Sequence, residues 1–140
     1  MATDHPLVTT LRAALAPRAE VREAYLFGSQ ARGDATARSD VDVAVYVDEV
    51  ALNAPGFGYE SELGATLQAA LRRSDVDVVV LNRAPPLLYY RVLRDGIRLL
   101  SRVPTETTGR EGRALSRYYD YIPQLAKIEA AHRRRQGSAG

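Results

Sequence analysis

Acidic residues at regular spacing are the first feature of this sequence that could do chemistry. Asp40 and Asp42 lie two positions apart in an apolar run, and the period of a strand would place both carboxylates on one face. Two like charges held side by side repel each other, and Mg²⁺ would relieve that repulsion because it prefers oxygen ligands and shares them with substrate phosphates. Asp77, in a later apolar run, is predicted to be the third carboxylate of this metal site.

A Gly-Ser pair upstream of these aspartates could bind phosphate. Gly28 and Ser29 end an apolar run, and residues 30–34 could form one helical turn. Unpaired N–H groups at a helix start favour an anion, glycine lets a phosphate approach the backbone, and Ser29 and Arg32 could donate further hydrogen bonds. No Gly-Lys-Ser/Thr follows, so this is not a Walker loop. Gly28, Ser29 and Arg32 would thus form a phosphate cradle. Together with the three aspartates, this cradle suits a two-metal displacement reaction at phosphorus, in which Asp77 would lie close to the attacking hydroxyl.

The elements that must position these residues can be read from the apolar pattern. Alternating or continuous apolar runs predict strands at Val21–Phe27, Val41–Val47 and Val76–Leu81, and a short edge strand at Ile97–Leu100. Helical spacing predicts helices from Leu7 to near Pro17, over 60–72, from Pro85 to Gly96 as its C′ residue, and from about Glu106 onward. The loops are predicted at 36–39 and 53–58.

This order of elements predicts a mixed α/β (α+β) domain. Its small mixed β-sheet of three to four strands is flanked by helices and followed by a C-terminal helix. We expect a single domain over residues 1–135, with a helical segment at 106–135 and a flexible tail at 136–140. Pro123 lies inside the last apolar stripe, and it should kink that helix or split it into two.

Composition excludes several classes of protein. The chain has 140 residues, of which 46% are hydrophobic and 26% charged, as in one globular domain. It has no cysteine and no apolar run long enough to span a membrane, and its first residues do not resemble a signal peptide. We therefore expect a cytoplasmic protein. The formal net charge is only +2, and the one basic cluster, His132–Arg135, is interpreted as a solvated helix end or, alternatively, a nucleic-acid or partner contact.

The segment from Gly28 to Asp42 resembles the signature of the nucleotidyltransferase superfamily of the DNA polymerase β type. Its form is Gly28-Ser29-x-Ala31-Arg32-Gly33, five further residues, and Ser39-Asp40-x-Asp42. In this form it looks like the minimal nucleotidyltransferases, and more closely like the MntA-type antitoxins of HEPN/MNT toxin–antitoxin systems. The likeness extends through Asp77 and the Pro-Pro pair after it to the C-terminal helix.

The resemblance implies a Mg²⁺-dependent transfer of AMP from ATP to a tyrosine hydroxyl of a partner HEPN ribonuclease, which the antitoxin silences in this way. Carried over, Gly28 and Ser29 bind the triphosphate, and Arg32 contacts the nucleotide or holds the local structure. Asp40 and Asp42 bind Mg²⁺, and Asp77 is the third metal ligand and the base. Two Mg²⁺ ions, a complex with the toxin, and no direct nucleic-acid or membrane binding are the corresponding expectations.

Two alternatives stay open from the sequence. One is a nucleotidyltransferase for a small molecule such as an aminoglycoside, although such enzymes usually carry a second domain for the acceptor. The other is an antitoxin that acts by binding alone. Among single residues, Asp75 is interpreted as a strand-start or turn residue, and Arg32 could simply hold the loop at Asp34. The tyrosines at 89, 90, 118, 119 and 121 are interpreted as packing residues, with base stacking or AMP acceptance as the alternative.

Overall fold

Six helices and four strands make up the part of the chain that the computed structural model describes, namely residues 5–34, 39–53, 56 and 58–138. The helices are α1 (Pro6–Leu15), α2 (Ser29–Arg32), α3 (Glu49–Leu52), α4 (Tyr59–Leu71), α5 (Pro86–Asp95) and α6 (Pro104–Ser138). The strands are β1 (Val21–Phe27), β2 (Val41–Val47), β3 (Val76–Val80) and β4 (Ile97–Ser101), and a 3₁₀ turn follows β3 at Leu81–Arg83. The predicted mixed α/β class is confirmed.

A single four-stranded sheet with the order β3-β2-β1-β4 organises these elements. β1 pairs antiparallel with both β2 and β4, whereas β2 pairs parallel with β3. The sheet is therefore mixed, and β4 is an edge strand, as the sequence predicts. The parallel pair is possible because α4 carries the chain from the end of β2 back to the start of β3.

Alternation along the strands gives the sheet two buried faces. On one face, fully buried residues such as Leu26, Val43 and Val45 pack with leucines of α1 and α4. On the other face, Tyr25 and Ala44 pack with residues of α5 and α6. Burial of one such leucine or valine side chain stabilises the fold by about 1.5–3 kcal/mol. Helices therefore cover both faces of the sheet.

The last helix is not split at Pro123, and it is longer than predicted. Pro123 lies inside α6, a single element over Pro104–Ser138, so the predicted split is wrong, while the predicted kink stays a prediction. Pro123 is exposed, so water can bond the carbonyl that loses its intrahelical partner. Residues 136–138, predicted as part of a flexible tail, belong to this helix, while 139 and 140 lie outside the described residues.

Local differences are confined to short segments. α3 was not predicted; it is a single turn whose first N–H groups are capped by the Asp48 carboxylate, which accepts a hydrogen bond from Val50 N at 3.1 Å. Gly96 ends α5 with φ of −77°, not in the left-handed conformation typical of a C′ glycine. Glycine is required at position 96 because a Cβ there would collide with the carbonyl oxygen of Val92. The predicted loops at 36–39 and 53–58 lie largely outside the described residues.

Among the described residues, no helix combines the length and the apolar character that crossing a membrane requires.

Candidate functional site

The parallel pairing of β2 and β3 sets Asp42 beside Asp77. These two aspartates are register partners in the ladder. Adjacent strands lie about 4.8 Å apart, and paired residues of parallel strands point to the same face. Asp42 shares its face with Ala44 and Tyr46, which is the side covered by α5 and α6. β2 and β3 are therefore adjacent strands, as the prediction of a site with three carboxylates requires.

Like charges dominate the electrostatics at this place. Asp42 is half-buried, while Asp40 and Asp77 are exposed. Burial raises the pKa of the Asp42 carboxyl above its usual range, and the negative charges of Asp77 and then Asp40 raise that pKa further. An aspartate whose charged form is disfavoured by its neighbours is a place where a cation would bind favourably.

The chemistry of the three aspartates fits a divalent cation, although their side chains do not form a preassembled metal site. Within residues 5–34, 39–53, 56 and 58–138, no three acidic, histidine or cysteine side chains form a group that could hold a metal ion. The three aspartates nevertheless offer only carboxylate oxygens, which Mg²⁺ prefers, and their mutual repulsion is the cost that such an ion would remove. Asp42 and Asp77 would hold it, together with Asp40 just before β2.

The predicted phosphate cradle lies directly against Asp42. Phe27, the last residue of β1, pairs with Asp42, so Gly28 follows at the same end of the sheet. Gly28 has φ of 75° and ψ of −158°, a region that is essentially restricted to glycine. A Cβ at this position would lie 2.5 Å from Asp42 Oδ2. The Gly-Ser turn and the Asp42 carboxylate are therefore in contact.

The approach of Gly28 to Asp42 can be tested with alanine. Gly28→Ala should destabilise the fold by about 1–3 kcal/mol because of its backbone conformation, and it should also displace the Asp42 carboxylate. Gly33→Ala is the matched control, since Gly33 has φ of 84° and nothing lies within 4 Å of a Cβ there. Urea unfolding measures both costs. Equal stability of the Gly28→Ala variant and the wild type would contradict this geometry.

Two residues that the sequence analysis did not single out hold the chain just before Asp40. The Ser39 carbonyl accepts hydrogen bonds from Gln30 Nε2 at 3.3 Å and from Arg73 Nη2 at 2.9 Å. Arg73 also pairs with Asp75 through two hydrogen bonds of 2.6 and 2.7 Å. Asp75 is thus neutralised at the start of β3, in agreement with its interpretation as a strand-start residue. Neither Gln30 nor Arg73 could be recognised in advance, because each acts through a backbone carbonyl.

The remaining candidates have local partners. Arg32 Nε lies 3.4 Å from Asp34 Oδ2, and both side chains are exposed, so nucleotide contact by Arg32 stays a prediction. Tyr89 is buried in the core, and Tyr90 stacks on Tyr118 with ring centroids 3.8 Å apart. These contacts agree with the interpretation of the three tyrosines as packing residues.

Comparison with known proteins gives one family match and several similar structures. The family described as "Polymerase beta, Nucleotidyltransferase" matches residues 9–105. A comparison with curated proteins finds no match. A chain of a toxin–antitoxin complex solved with AMP-PNP superposes with a TM-score of 0.71 at 25% identity, over 89% of this chain and 98% of that chain.

Two further solved structures share the fold. A chain of a mutant MntA–HpeT toxin–antitoxin complex has a TM-score of 0.68 at 26% identity, over 89% of this chain and 96% of that one. The tri-AMPylated Shewanella oneidensis HEPN toxin in complex with MNT antitoxin contributes a chain with a TM-score of 0.65 at 23% identity, over 91% of this chain and 97% of that one. The structural neighbours are thus MntA antitoxins of HEPN/MNT systems.

The family match covers well over half of the sequence, from within α1 to the first residues of α6. It contains the Gly-Ser turn and all three aspartates, so the motif that the sequence analysis isolated and the fold that carries it coincide. By the extent of this match, the protein belongs to the polymerase beta nucleotidyltransferase family.

Proposed function

We propose that this protein is a Mg²⁺-dependent nucleotidyltransferase that transfers AMP from ATP to a tyrosine hydroxyl of a partner HEPN ribonuclease and thereby acts as its antitoxin. The observation that carries this proposal is the in-register pair Asp42 and Asp77 beside the Gly28 turn. Membership of the family supports the reaction type. Since ATP is the donor, we place the reaction in the cytoplasm.

The choice of donor and acceptor rests on the structural neighbours. One neighbour at 25% identity is a toxin–antitoxin complex solved with AMP-PNP, an ATP analogue. Another neighbour contains a HEPN toxin that carries AMP groups. These observations support ATP as the donor and a HEPN protein as the acceptor. They favour this acceptor over a small molecule.

Each residue of the site has a role in the proposed reaction. The backbone and hydroxyl at Gly28-Ser29 donate hydrogen bonds to the triphosphate and orient it. Asp77 accepts the proton of the acceptor hydroxyl, whose oxygen then bonds to the α-phosphorus while the bond to pyrophosphate breaks. Asp40, Asp42 and Asp77 would hold Mg²⁺, which when bound supplies positive charge to the attacking and leaving oxygens.

The proposal is tested with ATP labelled at the α-phosphate, Mg²⁺, this protein and a co-encoded HEPN protein. We expect label on the HEPN protein after a denaturing gel, and none when the Asp40→Asn/Asp42→Asn variant replaces the wild type. Asp48→Asn is the matched control because it lies just beyond the other end of β2, where asparagine also caps a helix. Its activity should be unchanged.

The remaining outcomes separate the alternatives. Full neutralisation of the toxin by a folded Asp40→Asn/Asp42→Asn variant would show that binding alone is sufficient. Label on neither protein, with pyrophosphate released only when an aminoglycoside is added, would instead identify a small-molecule acceptor. Either result would overturn the proposed reaction.

A further inference from the structure

A polar cavity lies on the same sheet face as Asp42 but at the other end of β2. It has a volume of about 210 Å³, and its lining includes Tyr46, Asn82, Tyr89, Arg110, Arg113 and Arg117. Tyr46 follows Asp42 by four residues, which corresponds to about 13 Å along a strand. The cavity is therefore separate from the three aspartates and is not used by the proposed transfer reaction.

Arginines of α6 make this cavity positively charged. Arg110, Arg113 and Arg117 recur at intervals of three and four residues, so they share one face of the helix. Arg110 is neutralised by the buried Glu23, with hydrogen bonds of 2.6 and 2.7 Å. In the described part of the chain, Arg113 and Arg117 have no ion pair. Two cationic side chains at the cavity are therefore uncompensated.

The other charged groups near the cavity do not change this balance. Glu106 contacts Arg110 at 3.6 Å and Arg22 at 3.0 Å. Glu49 accepts a hydrogen bond from the Asn82 amide at 3.0 Å. The Asn82 side chain is further occupied by the backbone of Val47, through its oxygen at 3.0 Å and its nitrogen at 2.7 Å. Asp120 lines an adjacent cavity together with Arg117. Within the described residues, neither Asp120 nor any of these other carboxylates forms an ion pair with Arg113 or Arg117.

Tyr89 gives an independent indication that this cavity binds a ligand. Only 4% of this residue is exposed, and its hydroxyl is buried without a hydrogen-bond partner among the described residues. Buried polar groups in proteins are nearly always hydrogen-bonded, so a donor left alone beside a cavity indicates a missing acceptor. An acceptor that also carries negative charge would satisfy Tyr89 and the two arginines together.

We propose that this cavity is a phosphate-binding site, with Arg113 and Arg117 as its charged ligands and the Tyr89 hydroxyl as a neutral donor. The planar guanidinium matches a phosphate through pairs of parallel hydrogen bonds. A volume of about 210 Å³ is below that of pockets for drug-sized ligands, so the site would hold one phosphate group, either free phosphate or the phosphate of a nucleotide.

Binding is measured by calorimetric titration of the full chain with inorganic phosphate and with AMP, in EDTA and at low salt. We expect saturable binding that the Arg113→Gln/Arg117→Gln variant weakens by at least about a hundredfold. Arg133→Gln/Arg134→Gln is the matched control, because it removes the same charge from an exposed part of the same helix. Tighter binding of AMP that needs Arg113 and Arg117 would identify a nucleotide as the source, whereas equal binding would identify free phosphate.

Tyr89→Phe gives a second measurement that does not depend on activity. Without phosphate this variant should be at least as stable as the wild type, because it removes an unsatisfied buried hydroxyl. It should also bind phosphate about tenfold more weakly and lose most of the phosphate-dependent rise in melting temperature. The proposal is overturned if neither probe binds, or if binding is equally weakened by the Arg133→Gln/Arg134→Gln control. Phosphate-independent destabilisation by Tyr89→Phe would assign a bound water to the hydroxyl and would also overturn it.

Discussion

Replacement of Asp42 by asparagine is expected to abolish AMP transfer and at the same time to stabilise the metal-free fold. Transfer should fall by on the order of a thousandfold or more, as when one member of a catalytic unit is removed. The free energy of unfolding in EDTA should rise by about 0.5 kcal/mol, the scale of charge interactions at partly exposed positions. The rise follows because burial, and then the negative charges of Asp77 and Asp40, disfavour the charged form of Asp42.

The stability difference should depend on pH in a defined direction. Since the pKa of Asp42 is raised in the fold, the folded chain holds that proton more tightly than the unfolded chain. Wild-type stability relative to the asparagine variant should therefore fall as the pH rises from about 4, where an unfolded aspartate titrates, through the raised pKa of Asp42, and stay constant above it.

Unfolding curves of both proteins at several pH values, with and without Mg²⁺, measure these effects. Mg²⁺ should raise the melting temperature of the wild type by more than that of the variant, because the variant has lost one of the three carboxylates that would hold the ion. Asp48→Asn serves again as the control, and it should follow the wild type throughout. A variant that is less stable than the wild type in EDTA at neutral pH would show that Asp42 stabilises the fold, contrary to this account.

The largest loss of stability is expected from Arg110→Met. Glu23 is completely buried in β1, and Arg110 of α6 holds its carboxylate through two hydrogen bonds. Removal of the arginine leaves a buried carboxylate without its cation, which costs about 3–5 kcal/mol. Urea unfolding at neutral pH measures the loss.

A double-mutant cycle separates the ion pair from simple loss of packing. The Glu23→Met/Arg110→Met variant should recover most of the stability, since an apolar pair replaces both charges. The Thr107 hydroxyl, which donates to Glu23 Oε1 at 3.0 Å in the wild type, keeps its 2.7 Å contact with Ser101. Arg22→Met is the control on the same helix interface, where Arg22 pairs with the exposed Glu106 at 3.0 Å. It should cost less than about 1 kcal/mol. A double variant as unstable as Arg110→Met would refute the buried-charge explanation.

The strands could be predicted more closely than the helices because their signal is local. The predicted bounds of β1 and β2 are the observed ones, since each strand alternates or runs apolar between polar breaks. α3 escaped prediction because four residues are too few to show a helical period, and only the cap at Asp48 marks it. Pro123 predicted a kink or a break, and the break is excluded because α6 is one helix there. An exposed turn can exchange one backbone hydrogen bond for a bond to water, and the kink stays a prediction.

The candidate site was predictable where chemistry depends on spacing and unpredictable where it depends on long-range contact. Asp40 and Asp42 are identified by their period of two, and their neighbour Asp77 required only that β3 pair beside β2. The support of Ser39 by Arg73 joins residues 34 positions apart, and the pair Glu23–Arg110 joins residues 87 positions apart. A glutamate within a strand is normally a solvent-facing residue, so nothing in the local sequence of β1 identifies Glu23 as buried.

Insertions and deletions within β3 are constrained because its side chains alternate between the two faces of the sheet. The Asp75 carbonyl accepts a hydrogen bond from Val41 N at 2.9 Å, which anchors the start of the parallel ladder. One additional residue between that anchor and Asp77 would turn the carboxylate toward the α4 side and expose a valine in its place, because side chains alternate along a strand. Two additional residues would restore the face but move the carboxylate by one pleat. Length variation among relatives should therefore accumulate before α4, where a longer loop costs little, and not inside β3.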